Sequence, residues 1–199
     1  MSSVRFVSAG TGKFLPLLRG DLKRARRALS IVCPWIDEYF AGEVSTNAAP
    51  SLDARVLMRP EKTVDSAMWP HMVAAVAVLR EHFGSLQVRT LERLHAKCIV
   101  LDDEIAYVGS TNFYWFSLEQ SRELTIRGPL ARLGDAADEL SRLWDEGKPM
   151  VVSGSVLQPP ESRVSHEVQD PIVQDILRQN PRAWVVGRRQ SRDVRRPKH

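Results

Sequence analysis

The sequence predicts an α/β fold in which helices pack in layers over a β-sheet. Short apolar runs that are typical of buried strands recur along the first three quarters of the chain. Longer segments between them place apolar residues at the helical period. Strands and helices that alternate in this way form a layered architecture. With 199 residues, 43% apolar and 26% charged, the chain has the composition of one globular domain with a small appendage.

The first predicted elements are a strand at residues 4–7, a helix over 13–29 and a strand at 30–33. The helix combines an apolar stripe, from Phe14 to Leu29, with a basic face. The cations of that face are Arg19, Lys23, Arg24, Arg26 and Arg27, and Asp21 is its acid. We interpret this face as solvated surface, with a phosphate-contacting surface as the alternative.

The middle of the chain predicts a loop at 34–37, a second loop over 40–53 and a strand at 54–58. A helix between 64 and 83 and a strand at 86–90 follow. The helix carries Met68, Met72, Val76 and Leu79 at a spacing that indicates core packing. Its two histidines, at 71 and 82, are too far apart to share a metal ion, so we interpret both as surface or hydrogen-bonded residues.

Paired strands are predicted at 97–101 and 105–108, with the reversal at 102–104, and a further strand at 123–126. Gly128 and Pro129 predict a break, and a helix is predicted over 130–146. We assign residues 1–150 to the catalytic domain and 151–199 to a C-terminal extension that ends in a mobile basic tail.

Bulk properties limit the possible classes of protein. The formal charge of +4 permits a polyanionic partner without requiring one. The two cysteines, Cys33 and Cys98, both lie in apolar runs, which favours a reducing cytoplasm over a disulfide-bonded framework. We see no signal peptide and no apolar run that approaches the ~18 residues of a membrane span.

A concentration of reactive side chains lies between residues 95 and 123. His95 and Lys97 are two apart on a predicted strand and should therefore share a face. Neutral imidazole can attack phosphorus, and an ammonium on the same face can hold a phosphoryl oxygen. Ser110 and Asn112 can donate to that phosphoryl group, and Glu123 can hold one imidazole nitrogen. These side chains predict phosphodiester hydrolysis.

The order His95-x-Lys97-x-x-x-x-Asp102, followed by Gly109-Ser110-x-Asn112, resembles the HKD motif of the phospholipase D superfamily. The resemblance implies a central mixed β-sheet flanked by helices, with one motif per chain. It also implies that His95 forms a phosphohistidine, that Lys97 and Asn112 bind phosphate, and that Asp102 mostly supports local structure. An Asp is also favoured in a tight turn whatever the chemistry.

The family uses two HKD motifs, one histidine attacking and the other protonating the leaving group. Because this chain has one motif, we predict a homodimer in which two copies of His95 face one phosphate. The scheme requires no metal or other cofactor, and the sequence shows no zinc-type ligand spacing.

We predict a metal-independent nuclease that acts on DNA more readily than RNA. The similarity is to small bacterial nucleases, with specificity from partner proteins in a restriction or phage-defence system as a further hypothesis. Aromatic residues near the predicted cleft are candidates for base stacking or for core packing, namely Trp35, Phe113, Tyr114, Trp115 and Phe116. The alternatives are a phospholipase or phosphatidyl-transfer enzyme, and a non-catalytic nucleic-acid-binding subunit.

Overall fold

The computed structural model describes residues 4–10 and 12–150. Eight strands form one sheet in the order β1-β7-β6-β5-β2-β3-β4-β8. The strands are β1 Arg5–Ala9, β2 Ala28–Val32, β3 Asp53–Met58, β4 Ser85–Thr90, β5 Cys98–Leu101, β6 Ile105–Gly109, β7 Glu123–Pro129 and β8 Lys148–Pro149. The α-helices are α1 Phe14–Leu22, α2 Glu38–Asn47, α3 Trp69–His82, α4 Trp115–Glu119 and α5 Ala136–Glu146, with 3₁₀ turns at Glu61–Thr63 and Leu130–Arg132.

The sheet is mixed, which confirms the predicted fold class. Strands β2, β3 and β4 run parallel, and the other neighbouring pairs are antiparallel. Strands β2, β3 and β4 therefore end at one edge of the sheet, where β5 begins and β6 ends. We call this the site edge, and we call the opposite edge, at the β5–β6 turn, the far edge. Ligands of open α/β sheets bind at the edge where parallel strands end.

Each face of the sheet has its own apolar cluster. One face packs against helices α1, α2 and α3 through residues that include Ile31, Val56 and Ile99. The other face packs against α5 through residues that include Val32, Leu57 and Cys98. Neighbouring strand residues thus divide between the two clusters, as the two-residue period of a strand requires. The α3 methionine at position 72 is fully buried, which confirms that this helix packs on the core.

A buried ionic network ties α1 to the sheet. The Asp21 carboxylate accepts hydrogen bonds from Arg127 Nε at 2.6 Å and Nη2 at 2.8 Å, and from the Tyr107 hydroxyl. Burial raises the pKa of Asp21, but the hydrogen bonds from Arg127 and Tyr107 outweigh this effect and hold it below the ordinary value. Removing one partner of such a pair leaves an uncompensated buried charge.

Several predicted boundaries were wrong. The first helix ends at Leu22, because the backbone N–H groups of Arg26, Arg27 and Ala28 donate to Asp102 rather than to helical carbonyls. The predicted loop over 40–53 contains α2 instead. Asp37 caps this helix by accepting from Phe40 N at 2.9 Å, and tertiary burial stabilises it despite modest helix propensity.

The later boundaries shift for similar reasons. Helix α3 begins at Trp69, several residues after the predicted start. Strand β7 continues through Gly128 and Pro129, because it pairs with β6 along this stretch. The predicted helix over 130–146 is a 3₁₀ turn followed by α5. The predicted extension at 151–199 lies outside the described residues, and no described helix is long and apolar enough to cross a membrane.

We predict that Asp21→Asn lowers the free energy of unfolding at pH 7 by about 3–5 kcal/mol, because Arg127 loses its counter-charge. The pKa of Asp21 is lowered in the folded state, so its contribution is complete above the unfolded pKa of about 4 and is lost as the pH falls through the folded value. Urea unfolding at pH 7 and at pH 3 measures both effects. The difference from wild type should shrink at pH 3, whereas the exposed control Asp145→Asn should change stability little at either pH.

Candidate active site

Five of the six predicted site residues lie at the site edge. His95 and Lys97 precede β5, Ser110 and Asn112 follow β6, and Glu123 begins β7. The sixth, Asp102, follows β5 and therefore lies at the far edge. The antiparallel pairs β5–β6 and β6–β7 bring the five residues together from three parts of the sequence.

His95 and Lys97 form a direct contact, which agrees with the prediction that they share a face. Lys97 Nζ lies 2.9 Å from His95 Nε2 and also donates to the His95 carbonyl at 2.9 Å. A protonated lysine can only donate, so Nε2 accepts in this contact and carries a lone pair. Lys97 is 8% exposed, and burial lowers its pKa, assisted by the positive charge of Arg59. His95 itself is exposed.

Asn112 lies beside Cys33, a residue that the sequence analysis did not assign to the site. The buried Cys33 thiol lies 3.8 Å from Asn112 Oδ1 and 3.0 Å from the Trp35 carbonyl oxygen. The backbone N–H of Phe113 donates to the Cys33 sulfur at 3.4 Å. Burial raises the pKa of Cys33 to about 12, so the thiol keeps its proton at neutral pH. The single thiol proton is closer to the Trp35 carbonyl, so Cys33 lies against Asn112 Oδ1 without a second full hydrogen bond. With Oδ1 facing the thiol, the Asn112 NH₂ group can donate to a ligand.

Glu123 is surrounded by serine hydroxyls. Ser110 Oγ donates to Oε2, while Ser117 and Ser121 donate to Oε1 at 3.0 and 3.1 Å. Among the described residues, neither carboxylate oxygen bonds His95, so the predicted contact between Glu123 and the imidazole is not formed. The Ser110 proton is also used within this cluster, rather than pointing to a ligand as predicted. Ser110 therefore orients Glu123 in the structure.

Gly109 is required by the close approach of β6 and β7. A Cβ atom at this position would lie 2.3 Å from the Leu124 carbonyl oxygen and 2.6 Å from Thr125 Cα. Both distances are far below ordinary contact, and the obstructing atoms are backbone. The glycine before Ser110 in the motif is therefore explained by packing of the strand that carries the site.

Asp102 has a structural role. Its carboxylate accepts the backbone N–H groups of Arg26, Arg27 and Ala28 at 2.9, 2.7 and 3.0 Å. Burial raises the pKa of Asp102, but these backbone donors reverse the shift and lower it. This geometry does not support the grouping of Asp102 with the catalytic side chains. It supports the alternative, in which Asp102 stabilises local structure.

The basic face predicted on the first helix also lies away from His95. Arg27 pairs with Glu104 at 3.2 Å beside Asp102 at the far edge, and Arg19 forms two hydrogen bonds of 2.6 and 2.7 Å with Glu43. Because acids compensate these cations, the face matches the interpretation as solvated surface rather than the phosphate-contacting alternative.

The aromatic candidates divide between core and site. Phe113 is 2% exposed and stacks on Phe40 in the core, with ring centroids 4.8 Å apart. Trp35 lies beside the site, with its ring edge-on to His95 at 6.4 Å. Trp115 is exposed at the start of α4. Phe113 therefore matches the core-packing alternative, and base stacking by Trp35 stays a prediction.

Arg59 is a neighbour of the site that sequence reasoning missed. It follows β3 at the site edge, and its Nε donates to the Leu94 carbonyl at 2.6 Å. Its position directly after a parallel strand was a usable signal, because such strands end where ligands bind. No group of three or more His, Cys, Asp or Glu able to hold a metal ion occurs within residues 4–10 and 12–150.

Residues 18–144 match the model of a family described as cardiolipin synthase, phospholipase D-like domain. The chain belongs to the phospholipase D superfamily. The superfamily's phosphodiester chemistry supports a phosphodiesterase activity for this member. No curated protein matches the chain in sequence.

The fold of this superfamily member is similar to that of several solved structures. Nuc, a phospholipase D family member from Salmonella typhimurium, has a TM-score of 0.60 and 13% identity, covering 75% of this chain and 99% of Nuc. NucT from Helicobacter pylori has a TM-score of 0.58 and 12% identity, and the match covers 74% of this chain and 100% of NucT. Phosphatidylserine synthase from Haemophilus influenzae Rd KW20 has a TM-score of 0.54 and 14% identity, and the match covers 75% of this chain and 40% of the synthase.

We predict that Asp102→Ala lowers the free energy of unfolding by about 1–3 kcal/mol, because three backbone donors lose a charged acceptor. Asp103→Ala is the matched control, since Asp103 has the same positive φ of 56° but accepts no such set of bonds. Urea unfolding of both variants separates the loss of the acceptor from backbone strain. Equal destabilisation by the two substitutions would contradict the anchoring role of Asp102.

Proposed function

We propose that the protein is a metal-independent nuclease that hydrolyses DNA through a phosphohistidine on His95. The observation that carries the proposal is the 2.9 Å contact between His95 Nε2 and Lys97 Nζ, with the Asn112 amide at the same edge of the sheet. Together they supply an unprotonated Nε2 as nucleophile and two donors for phosphoryl oxygens.

The reaction proceeds in two steps. His95 Nε2 attacks phosphorus, the phosphorus–oxygen bond to the leaving group breaks, and the departing oxygen takes a proton. Water then attacks the phosphohistidine and gives a proton to the group that protonated the leaving oxygen. The phosphorus–nitrogen bond breaks and the imidazole is regenerated. During the first step Lys97 turns from Nε2 to a non-bridging oxygen, where its ammonium offsets the negative charge.

The first step needs an acid, and we propose that it is His95 of the partner subunit in a homodimer. The sequence contains one HKD motif, so a second copy of the chain is the source of a second imidazole. A two-fold axis beside His95 brings both imidazoles to one phosphate.

An exposed apolar surface supports the homodimer. Phe6 is 71% exposed, Leu124 55% and Val4 43%, at the β1–β7 end of the sheet. Phe6 and Leu124 alternate with the buried Val7 and Thr125, so they lie on the face that α5 covers elsewhere. This surface reaches the site, because Leu124 N donates to Ser110 Oγ at 3.1 Å. A second copy is the occupant that would both cover the surface and complete the site.

DNA is the favoured substrate because the chain is basic, with a formal charge of +4 and a tail rich in arginine and lysine. A lipid phosphodiester is the second candidate. It is supported by the cardiolipin synthase description of the matching family model and by the exposed apolar residues near the site. The chemistry is the same for both substrates, so substrate comparison decides between them.

We expect cleavage of plasmid and single-stranded DNA to continue in EDTA and to fall by at least about a thousandfold in His95→Ala, since the covalent step loses its nucleophile. The assay compares both DNA forms with RNA, phosphatidylglycerol vesicles and a chromogenic phosphodiester. The exposed His71→Ala is the matched control and should retain activity. Activity that requires a divalent metal, or that survives in His95→Ala, would contradict the mechanism, and exclusive cleavage of lipid would replace the substrate assignment.

We expect Phe6→Asp to convert the homodimer to a monomer and to remove DNA cleavage, because a charge is costly in a buried apolar interface. Sedimentation velocity measures the mass, and a nuclease assay measures the activity. His95→Ala should remain dimeric, and Ser85→Asp, at the exposed first residue of β4, should keep both dimer and activity. A Phe6→Asp monomer with full activity would exclude the shared site.

A further inference from the structure

Arg59 is tied to the backbone beside the proposed nucleophile. Its Nε donates to the carbonyl of Leu94 at 2.6 Å, and Leu94 directly precedes His95. The backbone N–H of Arg59 lies 3.4 Å from the Pro34 carbonyl oxygen, at the end of the neighbouring strand β2. These contacts fix both the main chain and the guanidinium of Arg59 at the site edge.

Trp35 holds the guanidinium from a second direction. Arg59 Cζ lies 5.5 Å from the centroid of the Trp35 ring, over its face. The same ring is edge-on to His95, with an interplanar angle of 84°. With Nε used by Leu94 and one side covered by Trp35, the two terminal nitrogens are the donors that remain for a ligand.

Among the described residues, no carboxylate pairs with Arg59. The arginines near α1 differ in this respect, since Arg19 is paired with Glu43 and Arg127 with Asp21. Lys97 is a buried cation close enough for the charge of Arg59 to act on it, and its pKa is lowered by burial and by that charge. Two half-buried or buried cations that repel each other are unfavourable, and a bound anion relieves this cost.

We propose that Arg59 binds a phosphate that flanks the scissile one in a polynucleotide, and that Trp35 positions its guanidinium. The inference rests on the proposed nuclease function and adds a specificity-determining subsite to it. An arginine held in this way presents two parallel donors to phosphate, a geometry that lysine does not reproduce. A phospholipid with one phosphodiester has no flanking phosphate for this subsite.

The cations beyond Arg59 extend the same path. Lys62, Arg93 and Lys148 surround the exposed Glu92, where Lys62 pairs at 2.5 Å and the charges of Lys148 and Arg93 also lower the Glu92 pKa. The three cations that act on Glu92 outnumber it, so Glu92 does not neutralise them. A polynucleotide that leaves His95 past the ends of β3 and β4 would meet these cations.

The test measures binding of a fluorescent single-stranded oligonucleotide to the His95→Ala protein, which separates binding from cleavage. We expect a further Arg59→Ala substitution to weaken affinity by about tenfold to a hundredfold. We also expect it to reduce the slope of log affinity against log salt by about 0.7. Arg59→Lys should keep the salt slope while losing part of the affinity, because the charge remains and the bidentate geometry is lost. Arg80→Ala, an exposed arginine near the end of α3, is the matched control and should behave as the parent protein.

A second arm uses proteins with His95 intact. The ratio of kcat/KM for the oligonucleotide to that for a chromogenic diester with one phosphate should fall at least about tenfold in Arg59→Ala. A Trp35→Ala substitution should weaken binding in the presence of Arg59 and have little further effect in Arg59→Ala, because Trp35 acts through the guanidinium. Thermal unfolding verifies that each variant is folded, and Arg59→Gln, which also removes the charge, replaces Arg59→Ala if the latter is not.

The outcomes separate this inference from the proposed function. Equal losses on the oligonucleotide and the small diester would show that Arg59 serves the scissile phosphate or the fold, and would overturn the flanking subsite. An unchanged salt slope in Arg59→Ala would also overturn it. Wild-type protein that cleaves no nucleic acid, while binding remains Arg59-dependent, would overturn the nuclease proposal and leave the phosphate subsite standing.

Discussion

Strand β5 is hydrogen-bonded on both sides, and its register sets the positions of the motif residues. It pairs antiparallel with β2 and with β6, and all four of its residues are buried. A shift by one residue would move every side chain to the opposite face and disrupt the packing of both apolar clusters. His95 and Lys97 are consequently fixed at one end of β5 and Asp102 at the other. The residues of one short motif therefore lie at the site edge and at the far edge of the sheet.

This separation divides the motif into a chemical part and a structural part. At the site edge, the imidazole, the ammonium and the amide of Asn112 converge from strands β5 and β6. At the far edge, Asp102 holds the chain where it enters β2. Since β2 pairs with β5, the anchor at one end of the sheet also supports the strand pairing that carries His95 at the other.

The cations of the protein are also divided by position. The arginines near α1 that pair with Asp21, Glu43 and Glu104 are compensated, so they contribute to stability and solubility. At the site edge Lys62 pairs with Glu92, whereas Arg59 and Lys97 form no ion pair among the described residues. Net charge alone does not distinguish the two groups, because compensation depends on which residues the fold brings together. A surface that binds polyanions is identified by its unpaired cations rather than by the number of basic residues.

The sequence by itself determined the α/β class, the identity of the motif and the common face of His95 and Lys97, because these depend on local periodicity and fixed offsets. Only the tertiary structure decided that Glu123 bonds serines, that Cys33 lies beside Asn112 and that Arg59 lies beside His95, since these contacts join residues distant along the chain. It also decided that residues 38–47 form α2, where burial of Phe40, Ala41 and Val44 outweighs the presence of Gly42 and Ser45. Local propensity favours neither outcome strongly there, so packing against the rest of the fold determines it.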